Sequence, residues 1–478
     1  MLQKLSPMTR TGPIFIFILL CGCAPVGPDY HPHEPAHPQS WSEPFPSVSV
    51  ANRARSISWC QSLNDPLLNE LIKRTLENNK DLGIARQRLM QARAERDEVA
   101  SYFGPQLSAG AGASVERLSR ALDISAGVRD TRTWQLGLDA SWELDIFGRH
   151  RRELESADAE VEAVQEEQRA LTISLLAEVA SDYAVLRTTQ QRMTILNDTL
   201  RSLSITESLT MKARERGLGT QLEVDQARSE REINEARLPV LLSDELRMIH
   251  ALGVLSGGFP GDFRSRLLFG GAPQLMPPSL PDSLPSDVIR QRPDIRVAER
   301  KYAAASARIG IAVAEQFPHF TISLGVGSSA SLLHNLFSAK SIGLLLGANV
   351  NETVYNSGRT SSRVRGAEAE ARAMALTYQK SIQLAFQDVE DALAGLHAEQ
   401  TRQRSLTEAV ADSQRAETRA IRLYQRGLSG WLPVLVAQRS TWEARDKLAL
   451  SQLAEFQHTI GLYKAMGSGW QKPENPRN

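Results

Sequence analysis

The chain has 478 residues, with 55 basic and 55 acidic side chains and a formal net charge of zero. That balance argues against nucleic acid as the main partner, because a phosphate backbone selects for a basic excess. Mean hydropathy is −0.29, and there is no run of about 20 apolar residues such as a membrane-spanning helix needs.

The amino terminus is expected to be an export signal, residues 1–22. Lys4 and Arg10 supply the positive region, and Ile14 to Leu20 supply a short apolar core. Leu20-Cys21-Gly22-Cys23 then resembles the bacterial lipobox, which is cleaved before the cysteine that is lipidated. Cys23 would become the first residue of the mature protein. The alternative is an ordinary signal peptide with chance cysteines; the charge, the apolar core and the small residue before Cys23 together favour the lipoprotein. In lipoproteins of this kind Asp after the cysteine favours inner-membrane retention, so Ala24 fits outer-membrane sorting. Of three cysteines only Cys60 would keep a thiol, which leaves no intrachain disulfide and no CxxC metal pair.

Residues 23–64 are expected to form a lipidated, irregular tether rich in Pro, His and Ser. His31, His33 and His37 would be a solvated tail rather than a metal site, since no carboxylate or cysteine cluster accompanies them. Helical patterning starts at Asp65-Pro66, an N-cap followed by a first-turn proline, and runs to about Ala100. The period then becomes two. Leu107, Ala109, Ala111, Ala113 and Val115 alternate with small or polar residues. Trp134, Leu136, Leu138, Ala140, Trp142 and Leu144 do the same. This is a strand hairpin over 106–145. From Gly148 to Arg216 there is no proline, and Leu171, Leu175, Val179, Tyr183, Leu186, Met193, Leu196, Leu200 and Leu203 keep coiled-coil spacing. At 1.5 Å per residue such a run extends roughly 100 Å. It turns at Arg216-Gly217-Leu218 and returns as a helix over 220–252.

The same order then recurs. Arg292-Pro293-Asp294 starts a helix. Phe320, Ile322, Leu324 and Val326, then Ile342, Leu344, Leu346, Ala348 and Val350, form the apolar faces of a second hairpin over 319–355, with Leu345 the one apolar residue out of phase. A long run from Gly358 turns at Arg426-Gly427-Leu428 and returns over 431–466. Gly358 and Gly427 lie 210 residues after Gly148 and Gly217. The chain is therefore expected to be two copies of one unit, 65–253 and 285–467, joined by a linker over 254–284 and ending in a tail over 468–478.

Four strands of about ten residues are long enough to cross a bilayer when tilted, but too few to close a barrel. An open sheet in lipid leaves unpaired edges, so several chains would have to share one barrel. A soluble sandwich also alternates in this way, because one face of its sheet is wet. Nothing assembles a nucleophile with a base or a metal set, so neither an enzyme nor a cofactor is expected. Asp388, Glu390 and Asp391 form an acidic run whose default is a solvated helical face.

The chain resembles the outer membrane factor family, TolC-like, and most nearly its lipoprotein branch of OprM- and NodT-type efflux proteins. The resemblance rests on Asp65-Pro66-Leu67-Leu68, on Ser141-Trp142-Glu143-Leu144-Asp145-Ile146-Phe147-Gly148-Arg149, on Arg292-Pro293-Asp294-Ile295-Arg296, and on Val434-Leu435-Val436-Ala437-Gln438-Arg439, together with the lipobox. It implies a membrane α+β fold: a homotrimer in which each protomer gives four strands to a 12-stranded outer-membrane β-barrel, continued by a periplasmic α-helical coiled-coil barrel. It implies a passive channel in the outer membrane of a Gram-negative bacterium, anchored in lipid. The partners would be a periplasmic adaptor protein and an inner-membrane pump of RND type. A duct for an ABC-type or protein-secretion exporter stays open within the class, and a structural periplasmic coiled-coil lipoprotein outside it. By the same resemblance Leu222, Asp225, Tyr424, Leu432 and Val436 are candidates for the periplasmic gate. Arg216, Gly217, Leu218, Arg426, Gly427 and Leu428 are candidates for adaptor contact at the tips. Several family members carry Asp where this chain has Val436, which removes the usual acidic ring from the second tip.

Overall fold

The computed structural model describes residues 24–32, 35–43, 63, 65–117, 119, 130–269 and 285–467. The signal peptide, Cys23, His33, Cys60 and the tail after 467 lie outside them, so the expected lipidation site is not among the described residues. In chain order the elements are α1 (Pro66–Asn78), α2 (Lys80–Ser101), β1 (Gln106–Arg117), β2 (Asp130–Leu144), α3 (Arg149–Glu215), α4 (Gln221–Glu235), α5 (Leu238–Leu255), α6 (Arg264–Phe269), α7 (Pro285–Gln291), α8 (Pro293–Ala314), β3 (His319–Ala330), β4 (Ile342–Asn351), α9 (Arg359–Gln425) and α10 (Leu432–Ala465). No helix among the described residues is long and apolar enough to cross a membrane.

Two compact units result. The first comprises residues up to 34, 88–165 and 297–378; the second comprises 35–87, 166–296 and the chain from 379 onwards.

The first unit holds the sheet, an antiparallel meander in the order β1-β2-β3-β4. The two hairpins pair with each other through β2 and β3, with Asp139 opposite Gly325 and Ser141 opposite Ser323. Along the middle of the sheet register puts apolar positions of one strand beside apolar positions of the next, as in Leu107 beside Ala140, Ala140 beside Leu324 and Leu324 beside Leu346, whereas Val115 faces Arg132 and Ser328 lies between Leu136 and Ile342. One face is therefore wholly apolar along the middle of the sheet. The other is built of Gly, Ser, Thr, Gln and Asn with a few carboxylates, His319 and one leucine, Leu345. β4 ends at Asn351, short of the expected 355. β1 and β4 are edges, and their apolar residues Leu107, Val115, Leu344, Leu346 and Val350 are exposed.

Residues 24–32 lack helix and strand, as expected of a tether, but they are not a free tail. The Val26 N–H donates to the Phe147 carbonyl at 3.0 Å. Arg152, almost fully buried, donates to the Val26 and Gly27 carbonyls and pairs with Asp29 at 2.7 Å. Tyr30 donates to Glu299 at 3.1 Å and meets Tyr302 edge-on. Burial first, then the Glu299 charge, pushes the Tyr30 phenol well above its ordinary pKa.

The second unit is helical. Its core joins Leu68 and Leu71 of α1, Val179, Tyr183 and Leu186 of α3, Ile249 and Leu252 of α5, and Phe456 and Tyr463 of α10. Asp65 caps α1 by accepting from the Leu67 and Leu68 N–H groups, and accepts the buried Tyr183 hydroxyl at 2.5 Å. Cap and buried bond together are worth about 2–4 kcal/mol.

Four expectations need correction here. The first helical run is broken at Asn79, whose side chain caps Asp81 and Leu82 and donates to the Leu255 carbonyl at 2.9 Å. The return helix 220–252 is two helices, because Pro239 lies near the start of α5 and has no N–H to continue α4. The linker 254–284 contains α6, and its Phe263 and Leu267 are buried in the helical core. The acidic run is not merely solvated. Asp388 pairs with the buried Arg292 at 2.9 Å, and Glu390 accepts the N–H groups of Ser42 and Glu43. Trp41 and His37 pack on Phe386 beside it, so this second part of the tether is also docked.

Candidate functional site: the paired helical turns

Both expected turns lie in the helical unit, and each is a C-terminal Schellman motif. Gly217 sits at φ +70° and Gly427 at φ +69°. The Leu218 N–H reaches back to the Ala213 carbonyl at 2.8 Å and the Gly217 N–H to Arg214 at 2.9 Å. The Leu428 N–H reaches Leu423 and the Gly427 N–H reaches Tyr424, both at 2.9 Å. Glycine takes the left-handed position without a Cβ penalty, which is why the Arg-Gly-Leu pattern marks both turns. Arg216, Leu218, Arg426 and Leu428 project from these turns and are exposed.

Beyond the turns the copies diverge. The first return helix starts with a capping box: Thr220 accepts from the Glu223 N–H at 3.3 Å, and Glu223 accepts from the Thr220 N–H at 2.9 Å. The second has no side-chain cap at Trp431. Instead Trp431, 2% exposed, packs with Val434, Leu435 and, on α4, Ala227. The Tyr424 ring meets it edge-on, with centroids 5.6 Å apart. Burial, and then the Glu223 charge, raises the Tyr424 pKa. Trp431 therefore ties the second turn to the helix that follows the first. Sequence reading missed it. The signal was there: 210 residues earlier the chain has Gln221, so an aromatic replaces an amide between the copies.

Of the gate candidates, Leu222, Leu432 and Val436 are 65%, 59% and 60% exposed. Leu432 and Val436 lie one helical turn apart on one face. Asp225 is exposed and accepts from Gln221 at 2.7 Å. Tyr424 is half-buried. The structure thus brings Tyr424 into the Trp431 cluster and leaves Leu222, Asp225, Leu432 and Val436 without a covering partner from the described chain.

Ion pairs brace the helices behind the turns. Glu207 on α3 accepts from Arg228 at 3.2 Å and Arg231 at 2.8 Å on α4. Burial acts to raise its pKa, but the hydrogen bonds and charges of the two arginines outweigh it and hold the carboxyl below its ordinary range. A depressed carboxylate stabilises above its unfolded pKa and loses that contribution as pH falls through the folded one. These braces therefore hold at neutral pH and release in acid. Glu230 on α4 pairs with Arg439 on α10, and Gln438 donates to Ser202 and Thr206 on α3. Arg192 on α3 pairs with Asp446 on α10 at 2.7 Å. Among the described residues no group of His, Cys, Asp and Glu is placed to hold a metal ion.

Comparison with known proteins follows the doubled architecture. The family model described as outer membrane efflux protein matches residues 71–257 and again 284–468, one match per copy. The chain is 32% identical over 476 residues to the solvent efflux pump outer membrane protein SrpC of Pseudomonas putida, covering 97% of this chain and 99% of that one. It is 30% identical over 465 residues to the cation efflux system protein CusC of Escherichia coli O6:H1, covering 96% and 98%. Among solved structures it superposes on the outer-membrane channel OprN with a TM-score of 0.84 at 30% identity, over 94% of this chain and all of that one.

Proposed function

The chain belongs to the outer membrane efflux protein family, and from that premise we propose that three copies close one barrel and conduct small molecules passively out of the cell. The observation that carries this is the pair of open edges. β1 and β4 each leave a row of backbone groups unpaired beside exposed apolar side chains. Both are intolerable in lipid unless the edge of another copy pairs with them. Four strands from each of three copies give 12, within the range of closed outer-membrane barrels. The Gly-, Ser- and Thr-rich face would line the lumen.

In this reading the long helices α3 and α9 and their return helices build the periplasmic tunnel, and Cys23 carries the lipid anchor. A periplasmic adaptor engages the exposed Arg-Gly-Leu tips at Arg216, Gly217, Leu218 and Arg426, Gly427, Leu428. An inner-membrane pump, of RND type by resemblance, supplies the energy. Relatives named for solvents and for cations share this architecture, so cargo choice rests largely with the pump. Leu432 and Val436, exposed side by side, close the resting duct by apolar contact around the threefold axis. Leu222, Asp225 and Tyr424 surround that closure.

Two measurements test this. Phe337, exposed between β3 and β4, is expected at the cell surface, so Phe337→Cys should react with an impermeant maleimide on intact cells. No reaction would favour a structural periplasmic lipoprotein. In planar bilayers Leu432→Gly and Val436→Asp should each raise the resting conductance; unchanged conductance in both sinks the gate assignment.

A further inference from the structure

The lumen-facing side of the sheet carries few charges. Among the described strand residues these are Glu116, Asp139 and Glu143, with His319 at the base and no Lys or Arg. The carboxylates differ in one respect. Glu143 is held by Arg149 at 2.9 Å and by His319 at 3.0 Å, and His150 lies 3.6 Å away. Asp139, two pleats further into the sheet, is exposed, and its carboxylate makes no hydrogen bond or ion pair among the described residues. Its surroundings keep it bare. Across the ladder stands Gly325, where a Cβ would come within 3.1 Å of the Asp139 Oδ1. Gly110, Gly137, Gly327 and Gly347 lie nearby on this face, and Ser108, opposite on β1, gives its hydroxyl to the Asp139 carbonyl at 3.3 Å rather than to the carboxylate.

The next residue along that row is Leu345, paired with Gly325 and 69% exposed. It is the single apolar side chain on this face among the described strand residues. Register thus sets a free carboxylate and a leucine on either side of one glycine. Two strand spacings separate them, roughly 10 Å between backbones.

We propose that the Asp139–Gly325–Leu345 row is a selectivity element of the duct, favouring cations over anions and, among cations, those with an apolar body. This rests on the closed-barrel reading, which turns one carboxylate into a ring of three. A fixed charge in a water-filled pore attracts counter-ions and repels co-ions, and rings of Asp or Glu are one way pores select cations. Leu345 adds a desolvated contact for an alkyl or aromatic group tethered to the ammonium. The paired Glu143 contributes little, since its charge is already matched.

The test uses the full-length protein in planar bilayers under asymmetric KCl. The wild type should show a potassium-to-chloride permeability ratio above unity. Asp139→Asn should lower that ratio by at least about twofold at 0.1 M salt and less at 1 M, where the screening length shrinks from about 10 Å to about 3 Å. Leu345→Ser should keep the KCl ratio but weaken block by tetrabutylammonium about threefold or more. An Asp139→Asn channel that conducts with an unchanged ratio overturns the charge assignment. Unchanged block in Leu345→Ser overturns the apolar part. Absence of any current in Leu432→Gly channels as well as in the wild type overturns the duct itself, a different failure from either.

Discussion

Replacing Trp431 with alanine is expected to cost about 3–5 kcal/mol locally, the range for emptying a buried large aromatic site. The loss falls on a helix start that lacks a side-chain cap, where the indole fills the contact between Tyr424, Val434, Leu435 and Ala227. Unlike a cavity in the middle of a core, this one can be relieved by fraying. Hydrogen-exchange protection should therefore collapse over 421–438 while the helical core around Tyr183 keeps its own. Resting conductance should rise as well, because Leu432 and Val436 ride on the first turn of the same helix. The indole Nε1 is buried with no hydrogen-bond partner among the described residues. Trp431→Phe should thus lose only volume, cost under about 1.5 kcal/mol, and leave protection nearly intact. Equal protection in Trp431→Ala and wild type would refute the anchoring role.

Gly257→Ala is the second large effect, expected at about 2–5 kcal/mol. Gly257 ends α5 at φ +80°. A left-handed conformation costs an alanine about 1–2 kcal/mol. A Cβ there would also lie 2.3 Å from the Asn78 carbonyl oxygen and 2.5 Å from its carbon, both backbone atoms that cannot swing aside. Overpacking of this kind adds about 1–3 kcal/mol. Gly217→Ala isolates the two contributions, since Gly217 has φ +70° but nothing within 4 Å of a Cβ. It should cost only the conformational part. Denaturant midpoints of the solubilised protein decide the matter; equal shifts for both variants would remove the steric contribution.

The architecture was legible where periodicity alone decides it. Val179, Tyr183, Leu186, Leu196 and Leu203 announce a helical stripe in the sequence and are buried. The strand alternation predicts which face each residue takes, down to the out-of-phase Leu345. Legibility stopped where structure depends on a distant partner. Asn79 carried only a weak local signal, since Asn is a common N-cap yet also occurs inside helices, and its other bond, to the Leu255 carbonyl, comes from 176 residues away. The tether was legible as irregular chain, but its docking rests on Arg152, Glu299 and Glu390, none of which is near it in sequence. The Pro239 break was legible and passed over. At the turns, glycine and arginine drew attention to the projecting residues, whereas Trp431, which supports them, stands out only when the copies are compared.

The attachment at Val26 has a consequence for where the molecule sits. Val26 is three residue steps from residue 23, a reach of about 11 Å at full extension. Any acyl chain carried by Cys23 must therefore enter the bilayer close to Phe147, where β2 has just given way to α3. Such a group is a depth gauge as much as a tether. It would set the height of the sheet against one leaflet, so that lengthening the segment between residues 23 and 26 should let the whole sheet ride at a different level in the membrane.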